Sequence, residues 1–253
     1  MKLTRSGCVV PDTPEIKKEL TVRPIVNADF GVAPPSFKVF RKAKSGLCVP
    51  RYYAEEKFGK VTEDIRPKPE KIKISFKGKL RDETHQNEAL SKAIEAGHGI
   101  LSLPCGFGKT TVSLAIACKL GYRTMIVVHK EFLANQWKER IQQFCPGASI
   151  GIVQQNKKEV NCDFVIAMLQ SLSLKEYSFE DFDSIGTLIV DEAHHICAKV
   201  FSQSLFKLCP KHAFGLSATP NRKDGLTKVL HWFMGPTFFS VERKNQDQVD
   251  MFP

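Results

Sequence analysis

The chain has 253 residues, of which 42% are hydrophobic and 25% are charged, and its formal net charge is +10. This composition is typical of a globular protein with room for one large domain or two smaller ones. No apolar run reaches the roughly 18 residues of a membrane helix, and the N-terminal stretch MKLTRSGCVVPDTPE lacks the apolar segment of a secretory signal. We therefore expect no membrane partner and no secretion.

Eight cysteines are spread over the chain, and none of them form a CxxC pair. This spacing does not describe a disulfide framework, and it fits a reducing compartment in which thiols pack as small apolar groups. We therefore expect an intracellular location in the nucleus, the cytoplasm or a virion.

Residues 1–78 predict a small, basic and mostly β N-terminal module. Eight prolines interrupt its sequence, so short strands and loops are favoured over helices. Residues 1–80 hold 18 Lys and Arg against 9 Asp and Glu, which a polyanion-binding surface and a solvated basic face explain equally well. We assign most of the aromatic residues among these bases to the module's core rather than to base stacking. They are Phe37, Phe40, Tyr52, Tyr53 and Phe58.

Two elements are expected where this module meets the rest of the chain. The stretch EKIKISFKGK at 70–79 alternates apolar and polar residues, which predicts a half-buried strand. The stretch THQNEALSKAIEAG has helical periodicity and ends at Gly97, which predicts a helix. We place the domain boundary between residues 78 and 79.

From residue 99 onwards, short apolar runs alternate with amphipathic segments. Strands that are apolar throughout and joined by helices are typical of a parallel sheet covered on both faces. The predicted fold class is therefore α/β, with a mainly parallel sheet in a domain over 79–245 and a tail or linker at 246–253. The predicted strands are 99–103, 124–128, 164–168, 187–190 and 213–217, and the predicted helices are 109–120, 131–144 and 199–208.

The stretch LSLPCGFGKTT predicts a phosphate-binding loop. An apolar strand ends at Leu103, a turn with two glycines follows, and Lys109 opens a helix, so backbone N–H groups can converge on phosphates. Lys109 would neutralise the β- and γ-phosphates, and the Thr110 hydroxyl would bind Mg²⁺. The usual pattern GxxxxGK[ST] has a glycine at the position of Leu103. A chance Gly-Lys-Thr is still the weaker interpretation, because strand, loop and helix follow in the required order.

The stretch TLIVDE places Asp191 and Glu192 at the end of an apolar strand. Ligands of an open parallel sheet lie beyond the carboxyl ends of its strands, where the phosphate-binding loop also projects. Asp191 would therefore bind, through water, the same Mg²⁺ as Thr110. Glu192 would orient or deprotonate the attacking water.

A zinc site is the competing interpretation of this stretch. His194, His195 and Cys197 are followed by Cys209 and His212, so four nitrogen or sulfur ligands can be assembled on paper. Adjacent histidines usually point to different sides, however, and the segment between the two groups is predicted to be helical. We favour the nucleotide site, because it already accounts for both acids.

A third polar turn, GLSATPNRKDGL, follows the strand at 213–217. Together, LPCGFGKT, DEAH and SATP resemble motifs I, II and III of superfamily 2 helicases, most closely the XPB-like branch with its relatives in large DNA viruses. The stretch VVHKEFLANQW at 127–137 is similar to motif Ia, and FMGPTFF is similar to the end of the first motor domain. The resemblance covers roughly residues 80–242 and implies a RecA-like domain that binds ATP and Mg²⁺.

The resemblance also implies a role for individual residues. Gln86 would read the adenine, although its distance from Leu80 and Arg81 is longer than in the usual LRxxQ pattern. Lys109, Asp191 and Glu192 would be catalytic. The nucleotide-binding loop would comprise Pro104, Cys105, Gly106, Phe107, Gly108, Lys109, Thr110 and Thr111. The residues that couple the nucleotide state to nucleic acid would be His194, Ser217, Ala218 and Thr219. The residues that contact nucleic acid would be His129, Lys130, Gln136, Gln170 and Ser171. Arg222, Lys223 and Asp224 match a charged turn, in which Lys223 replaces an acid of XPB.

Superfamily 2 motors hydrolyse ATP between two RecA-like domains, so the resemblance implies a second such domain in cis. An arginine finger from that domain is worth about 10³–10⁵ in rate. We therefore expect this chain to be a fragment of a longer helicase, one that binds ATP–Mg²⁺ but hydrolyses it poorly alone.

The predicted function is the N-terminal half of an ATP-dependent DNA helicase or translocase of transcription or repair. Its partners would be nucleic acid and the transcription machinery. Two alternatives stay open. The first is a non-catalytic module that keeps the fold and docks on nucleic acid or a transcription complex. The second is an RNA helicase, since backbone contacts do not identify the sugar.

Overall fold

A computed structural model describes residues 1–25, 35–197, 199–218 and 224–241 of the chain. The predicted tail at 246–253 lies outside these ranges. In the described ranges, no helix has both the length and the apolar character needed to span a lipid bilayer.

The N-terminal part is rich in short strands, as predicted, and also contains two helices. Five strands form a sheet in the order β5-β6-β2-β1-β7, and β3 pairs with β4. Strands β1 and β2 form an antiparallel hairpin in which Thr4 pairs with Gly7. The strands are β1 (Lys2–Thr4), β2 (Gly7–Val10), β3 (Thr21–Val22), β4 (Phe37–Lys38), β5 (Arg41–Ala43), β6 (Gly46–Val49) and β7 (Glu63–Asp64), and the helices are α1 (Pro14–Glu19) and α2 (Arg51–Phe58).

Helix α1 shows why counting prolines was misleading in this part. The Thr13 side chain accepts a hydrogen bond from the Ile16 N–H and caps the helix, and Pro14 occupies its first position. A proline there loses no helical hydrogen bond, so it begins a helix instead of preventing one.

The aromatic residues of the N-terminal part are mostly core residues, as predicted. Phe37, Phe40, Tyr52 and Tyr53 are buried, whereas Phe58 is 41% exposed. Phe37, Phe40 and Tyr53 pack in one hydrophobic cluster with residues of the larger sheet. Most of the aromatic surface in this basic segment is therefore already used for packing.

The strand predicted at 70–79 is wrong, although the alternation that suggested it is real. Burial alternates residue by residue along this segment, but only Lys71 forms a bridge, with Tyr122. The segment instead runs as an extended strap along helix ends. The Lys77 N–H donates to the carbonyl oxygen of Phe144 at 2.7 Å, and the rings of Phe76 and Phe144 lie 5.7 Å apart. Alternation reports which side chains are covered, and here helices cover them instead of a neighbouring strand.

The larger sheet has eight strands in the order β11-β10-β12-β9-β13-β14-β8-β15. Every neighbouring pair is parallel except β10 and β11, which confirms the predicted α/β fold. The five predicted strands are all present within one residue of their predicted bounds. The strands are β8 (Gly99–Ser102), β9 (Thr124–Val128), β10 (Ile150–Gln154), β11 (Lys157–Lys158), β12 (Phe164–Met168), β13 (Thr187–Val190), β14 (His212–Ser217) and β15 (Thr237–Ser240).

The helices of this part cover both faces of the sheet. One core contains residues of α3, α4 and α5, and the other contains residues of α6, α8 and the N-terminal part. Successive strand residues alternate between the two cores, as Met125 and Ile126 do. The helix predicted at 199–208 is α7 followed by a 3₁₀ turn at Leu205–Lys207. The helices are α3 (Gln86–Ala96), α4 (Lys109–Leu120), α5 (Glu131–Phe144), α6 (Leu169–Leu174), α7 (Lys199–Ser204) and α8 (Thr227–Met234).

The N-terminal part packs against the face of the larger sheet that α6 and α8 also cover. Arg66 donates to the carbonyl oxygens of Pro210 at 2.6 Å and Cys209 at 3.3 Å, and Arg41 donates to that of Gln203 at 2.6 Å. The Arg66 contacts fix the segment that leads from the smaller sheet to the larger one, and the Arg41 contact holds β5 against α7. The division of the chain between residues 78 and 79 stays a prediction.

Candidate functional site

Three motif-bearing strand ends are neighbours at one edge of the larger sheet. The order β13-β14-β8 places β14 between the strand that precedes Asp191 and the strand that precedes the phosphate-binding loop. Ser217 pairs in register with Ser102, and the Leu103 N–H donates to the Ser217 carbonyl oxygen at 3.2 Å. Because these strands are parallel, all three following segments lie at their carboxyl ends, where α/β sheets bind ligands.

The phosphate-binding loop has the backbone geometry that its glycines predict. Gly106 and Gly108 have φ values of +86° and +79°, which side chains disfavour. Gly108 is the N-cap of α4, and no side chain caps that helix end. The Lys109 ammonium donates to the carbonyl oxygen of Leu103 at 3.0 Å, so it lies across the base of the loop. Uncapped N–H groups and a lysine at a helix N-terminus suit a phosphate group.

Gln86 is packed against this loop instead of facing solvent. Its side chain is 2% exposed, and its amide nitrogen donates to the Phe107 carbonyl oxygen at 2.8 Å. Its amide oxygen accepts from the Arg81 N–H at 2.9 Å. A Cβ on Gly108 would lie 2.5 Å from the Gln86 amide nitrogen, so any larger residue there would force the Gln86 amide to shift. The contact with the loop is what the structure shows, and adenine recognition by Gln86 stays a prediction.

Asp191 is held by three hydrogen bonds at the end of β13. Its N–H donates to the Val127 carbonyl oxygen at 2.9 Å. One carboxylate oxygen accepts from the Glu192 N–H at 3.0 Å, and the other accepts from the Trp137 indole N–H at 2.9 Å. Glu192 has a φ of +48°, a conformation uncommon outside glycine and often found at functional sites. The two acids therefore begin a sharply turned segment.

His194 connects the second and third motifs. Its Nδ1 lies 3.4 Å from a Glu192 carboxylate oxygen and 3.5 Å from the Ser217 hydroxyl. Ser217 is fully buried, and Ala218 is half-buried immediately after β14. One imidazole thus contacts both motifs predicted to communicate. Thr219, Arg222 and Lys223 lie outside the described residues, and the Asp224 carboxylate accepts from the Leu226 N–H at 3.2 Å.

The predicted nucleic-acid contacts follow β9 and β12, which extend the same edge of the sheet. Lys130, Gln136 and Gln170 are exposed. His129 is half-buried, its ring lies 4.0 Å from that of His195, and burial together with Lys130 lowers its pKa. The Ser171 hydroxyl accepts from the Gln155 N–H at 3.0 Å, so it already has a structural partner. The three exposed side chains are the ones available to an external ligand.

Oxygen ligands at this edge suit magnesium better than zinc. The Thr110 hydroxyl and the Asp191 carboxylate are the hard oxygen donors that Mg²⁺ prefers. The Asp191 carboxylate keeps acceptor capacity beyond its two protein donors. Over the described residues, no three His, Cys, Asp or Glu side chains are arranged to hold a metal ion. The zinc alternative finds no support there, and His212 instead contacts the Gly97 carbonyl oxygen at 2.9 Å.

Two residues of this site were missed by sequence reasoning. Trp137 was expected only as part of a stretch similar to motif Ia, and it contacts Asp191. Arg81 holds Gln86 through its N–H, and its guanidinium lies 3.5 Å from the Gly106 carbonyl oxygen. The LR pair before Gln86 was a usable signal for Arg81. No local pattern marks the Trp137 contact, because it depends on the order of strands in the sheet.

Comparisons with known proteins agree with this geometry. Residues 77–222 match the family described as type III restriction enzyme, res subunit. The chain is 34% identical over 267 residues to a candidate ATP-dependent RNA helicase of Acanthamoeba polyphaga mimivirus, a match that covers 98% of the chain and 50% of that relative. It is 33% identical over 171 residues to a DNA 3'-5' translocase of the XPB type from Sulfurisphaera tokodaii, covering 67% of the chain and 38% of that relative.

A solved structure shows the same fold. The UvsW helicase from bacteriophage T4 superimposes with a TM-score of 0.56 at 16% identity, over 90% of this chain and 92% of that one. The chain spans about half the length of the mimivirus relative.

Proposed function

Because the chain belongs to the type III restriction enzyme res-subunit family, among superfamily 2 helicases of the XPB-like branch, we propose that its RecA-like domain is the ATP-binding half of a motor that moves along nucleic acid. One observation carries this proposal. The loop with Lys109 follows β8, the acids Asp191 and Glu192 follow β13, and the buried Ser217 ends β14, which lies between these two parallel strands. A triphosphate at this edge would meet cationic, acidic and coupling groups together.

Each group has a distinct task in this proposal. The loop N–H groups and Lys109 would bind the β- and γ-phosphates, and Lys109 would exchange its bond to the Leu103 carbonyl oxygen for a phosphate oxygen. Thr110 and Asp191 would hold Mg²⁺, which neutralises charge on the phosphates when bound. Glu192 would orient the attacking water. A second RecA-like domain in cis would complete the hydrolytic site.

The coupling task falls to His194 in this proposal. Its ring lies between the Glu192 carboxylate and the Ser217 hydroxyl. A change at Glu192 on hydrolysis would therefore reach the segment after β14 through one side chain. Thr219 and Ala218 are proposed to act in that same segment.

We propose DNA as the track and RNA as the second candidate. The Sulfurisphaera tokodaii relative is named for DNA, and the mimivirus relative is named for RNA. Lys130, Gln136 and Gln170 supply charge and hydrogen bonds that fit the backbone of either polymer. A role in transcription or repair, with transcription machinery as a partner, is part of the proposal.

The test compares nucleotide binding and hydrolysis in matched variants. This chain is expected to bind a fluorescent ATP analogue with Mg²⁺, and Lys109→Ala is expected to lose that binding. Lys119→Ala is the control, because Lys119 is an exposed lysine of the same helix. In a polypeptide extended by the second RecA-like domain, Glu192→Gln is expected to bind ATP but to lose nucleic-acid-stimulated hydrolysis. Intact activity in both variants would overturn the proposal, whereas an extended wild-type polypeptide that hydrolyses no ATP would support the non-catalytic module instead.

The choice of polymer is tested with the same extended polypeptide. Hydrolysis is measured with double-stranded DNA, single-stranded DNA and RNA of equal length at one fixed salt concentration, since phosphate contacts depend strongly on salt. Stimulation by DNA alone is expected. Stimulation by RNA alone would replace the DNA proposal with the RNA helicase.

A further inference from the structure

Trp137 contacts the acid that we propose as a magnesium ligand. The Trp137 side chain is 1% exposed, and its indole N–H lies 2.9 Å from one Asp191 carboxylate oxygen. The other carboxylate oxygen accepts from the Glu192 N–H at 3.0 Å. Each oxygen of this carboxylate therefore has one fixed protein donor.

Two fixed donors define the orientation of a carboxylate group. An ionised carboxylate offers about four acceptor positions, so two donors leave about two positions for metal-bound water. Hydrogen bonds to a charged group are stronger and more directional than neutral ones. A buried tryptophan also needs a partner for its N–H, and here that partner is the charged group of the site.

We propose that Trp137 is a positioning residue that sets the Asp191 carboxylate for magnesium and links it to helix α5. This inference rests on the proposed function and deepens it. Helix α5 begins immediately after His129 and Lys130, and it presents the exposed Gln136 one residue before Trp137. Consecutive helix residues point about 100° apart, so one short stretch faces both the solvent and the acid.

This arrangement couples nucleic acid to magnesium through one rigid element. A polymer held by Lys130 or Gln136 acts on α5, and any movement of α5 changes the distance between the indole nitrogen and Asp191. Hydrogen bonds weaken steeply as their geometry departs from the ideal. Binding of a polymer to α5 would therefore change the hydrogen bond to the proposed metal ligand through Trp137 alone.

The first test uses Trp137→Phe, which keeps an aromatic ring in the core and removes only the N–H donor and part of the ring area. We expect the Mg²⁺ concentration that gives half-maximal tightening of ATP binding to rise about tenfold, the scale of one lost bond to a charged group. ATP binding in excess chelator is expected to be unchanged. Trp232→Phe, at the second of the two tryptophans, is the control and should match the wild type.

The second readout is the oligonucleotide effect on ATP binding. In the wild type, a saturating oligonucleotide is expected to change the Mg²⁺ dependence, and in Trp137→Phe this change is expected to disappear. An unaltered Mg²⁺ dependence and an unaltered oligonucleotide effect in Trp137→Phe would overturn the role of Trp137 while leaving the proposed function intact. A wild type that binds no ATP would overturn both.

Fluorescence keeps the inference testable even if Trp137→Phe does not fold. Trp232→Phe leaves Trp137 as the sole tryptophan of the chain. Its emission is expected to shift when Mg²⁺ is added to the ATP-bound protein, and to shift again when the oligonucleotide is added. Emission that is insensitive to Mg²⁺ in a protein that binds ATP would contradict the proposal.

Discussion

The amide of Gln86 donates to the carbonyl oxygen of Phe107 at 2.8 Å, which ties the start of helix α3 to the phosphate-binding loop. The same amide group accepts from the Arg81 N–H. One buried side chain therefore joins the approach to the domain, its first helix and its nucleotide loop.

Replacing Gln86 by alanine is expected to lower both stability and ATP affinity. The Arg81 N–H and the Phe107 carbonyl oxygen would lose their partners, at a cost of about 2 kcal/mol in the free energy of unfolding. Urea unfolding measures this change, and the ATP analogue measures the affinity. Gln142→Ala, at an exposed glutamine, should change neither. Equal stability of the two variants would contradict the structural role of Gln86.

Gly108→Ala is expected to destabilise the protein more than Gly106→Ala. Both glycines have positive φ, so alanine at either position costs about 1–2 kcal/mol in backbone strain. At Gly108 the new Cβ would also meet the Gln86 amide at 2.5 Å, and that amide is held by two hydrogen bonds, whereas Gly106 has open space. Thermal unfolding of the two variants in the absence of nucleotide gives the comparison. Equal decreases in thermal stability would show that the Gln86 side chain can move away from the new Cβ at little cost.

Alkylation of Cys105 is expected to be blocked by ATP with Mg²⁺. Cys105 is exposed in the phosphate-binding loop, whereas Cys8, Cys48, Cys145 and Cys197 are buried. Peptide mass spectrometry after brief iodoacetamide treatment measures labelling at each cysteine. Protection should vanish in Lys109→Ala. Equal labelling of Cys105 with and without saturating ATP would place the nucleotide elsewhere.

Arg66→Ala is expected to loosen the N-terminal part from the larger sheet. Arg66 donates to the carbonyl oxygens of Cys209 and Pro210 and forms a two-pronged pair with Asp64. Loss of charged bonds to the carbonyls should lower the free energy of unfolding by about 2 kcal/mol. Arg140→Ala, at an exposed arginine, is the control. Limited proteolysis should cut Arg66→Ala faster between the two sheets, and unchanged cleavage would contradict this anchoring role.

Stability is expected to fall between neutral pH and mildly acidic pH because of His212. Burial lowers the pKa of His212, so the unfolded chain binds a proton that the folded protein resists. This contribution is fully present above the unfolded pKa of about 6.5 and is lost as the pH falls towards the lowered folded pKa. Urea unfolding from neutral to acidic pH should show a shallower dependence for His212→Asn. The exposed His85 provides the control, as His85→Gln.

The sequence predicted correctly those helices, strands and turns whose pattern lies within a single short stretch of residues. Strand, glycine turn and helix follow in order around Lys109, and helix α5 has the bounds that its periodicity indicated. The segment at 70–79 was mispredicted as a strand, because alternation does not say whether a strand or a helix covers the apolar side. The contact between Trp137 and Asp191 was invisible for another reason. It exists only because β13 lies beside β9, and strand order is a property of the whole sheet.

The position of β14 has a consequence for synthesis of the chain. Strand β8 is made early, but its neighbours β14 and β15 come from residues 212–217 and 237–240. Until residue 217 has left the ribosome, β8 is unpaired on both sides and β13 on one, although the loop and both acids already exist. Open edges of apolar strands invite aggregation. The centre of the sheet closes late, so a nascent chain lacking β14 depends on protection from chaperones more than the finished domain does.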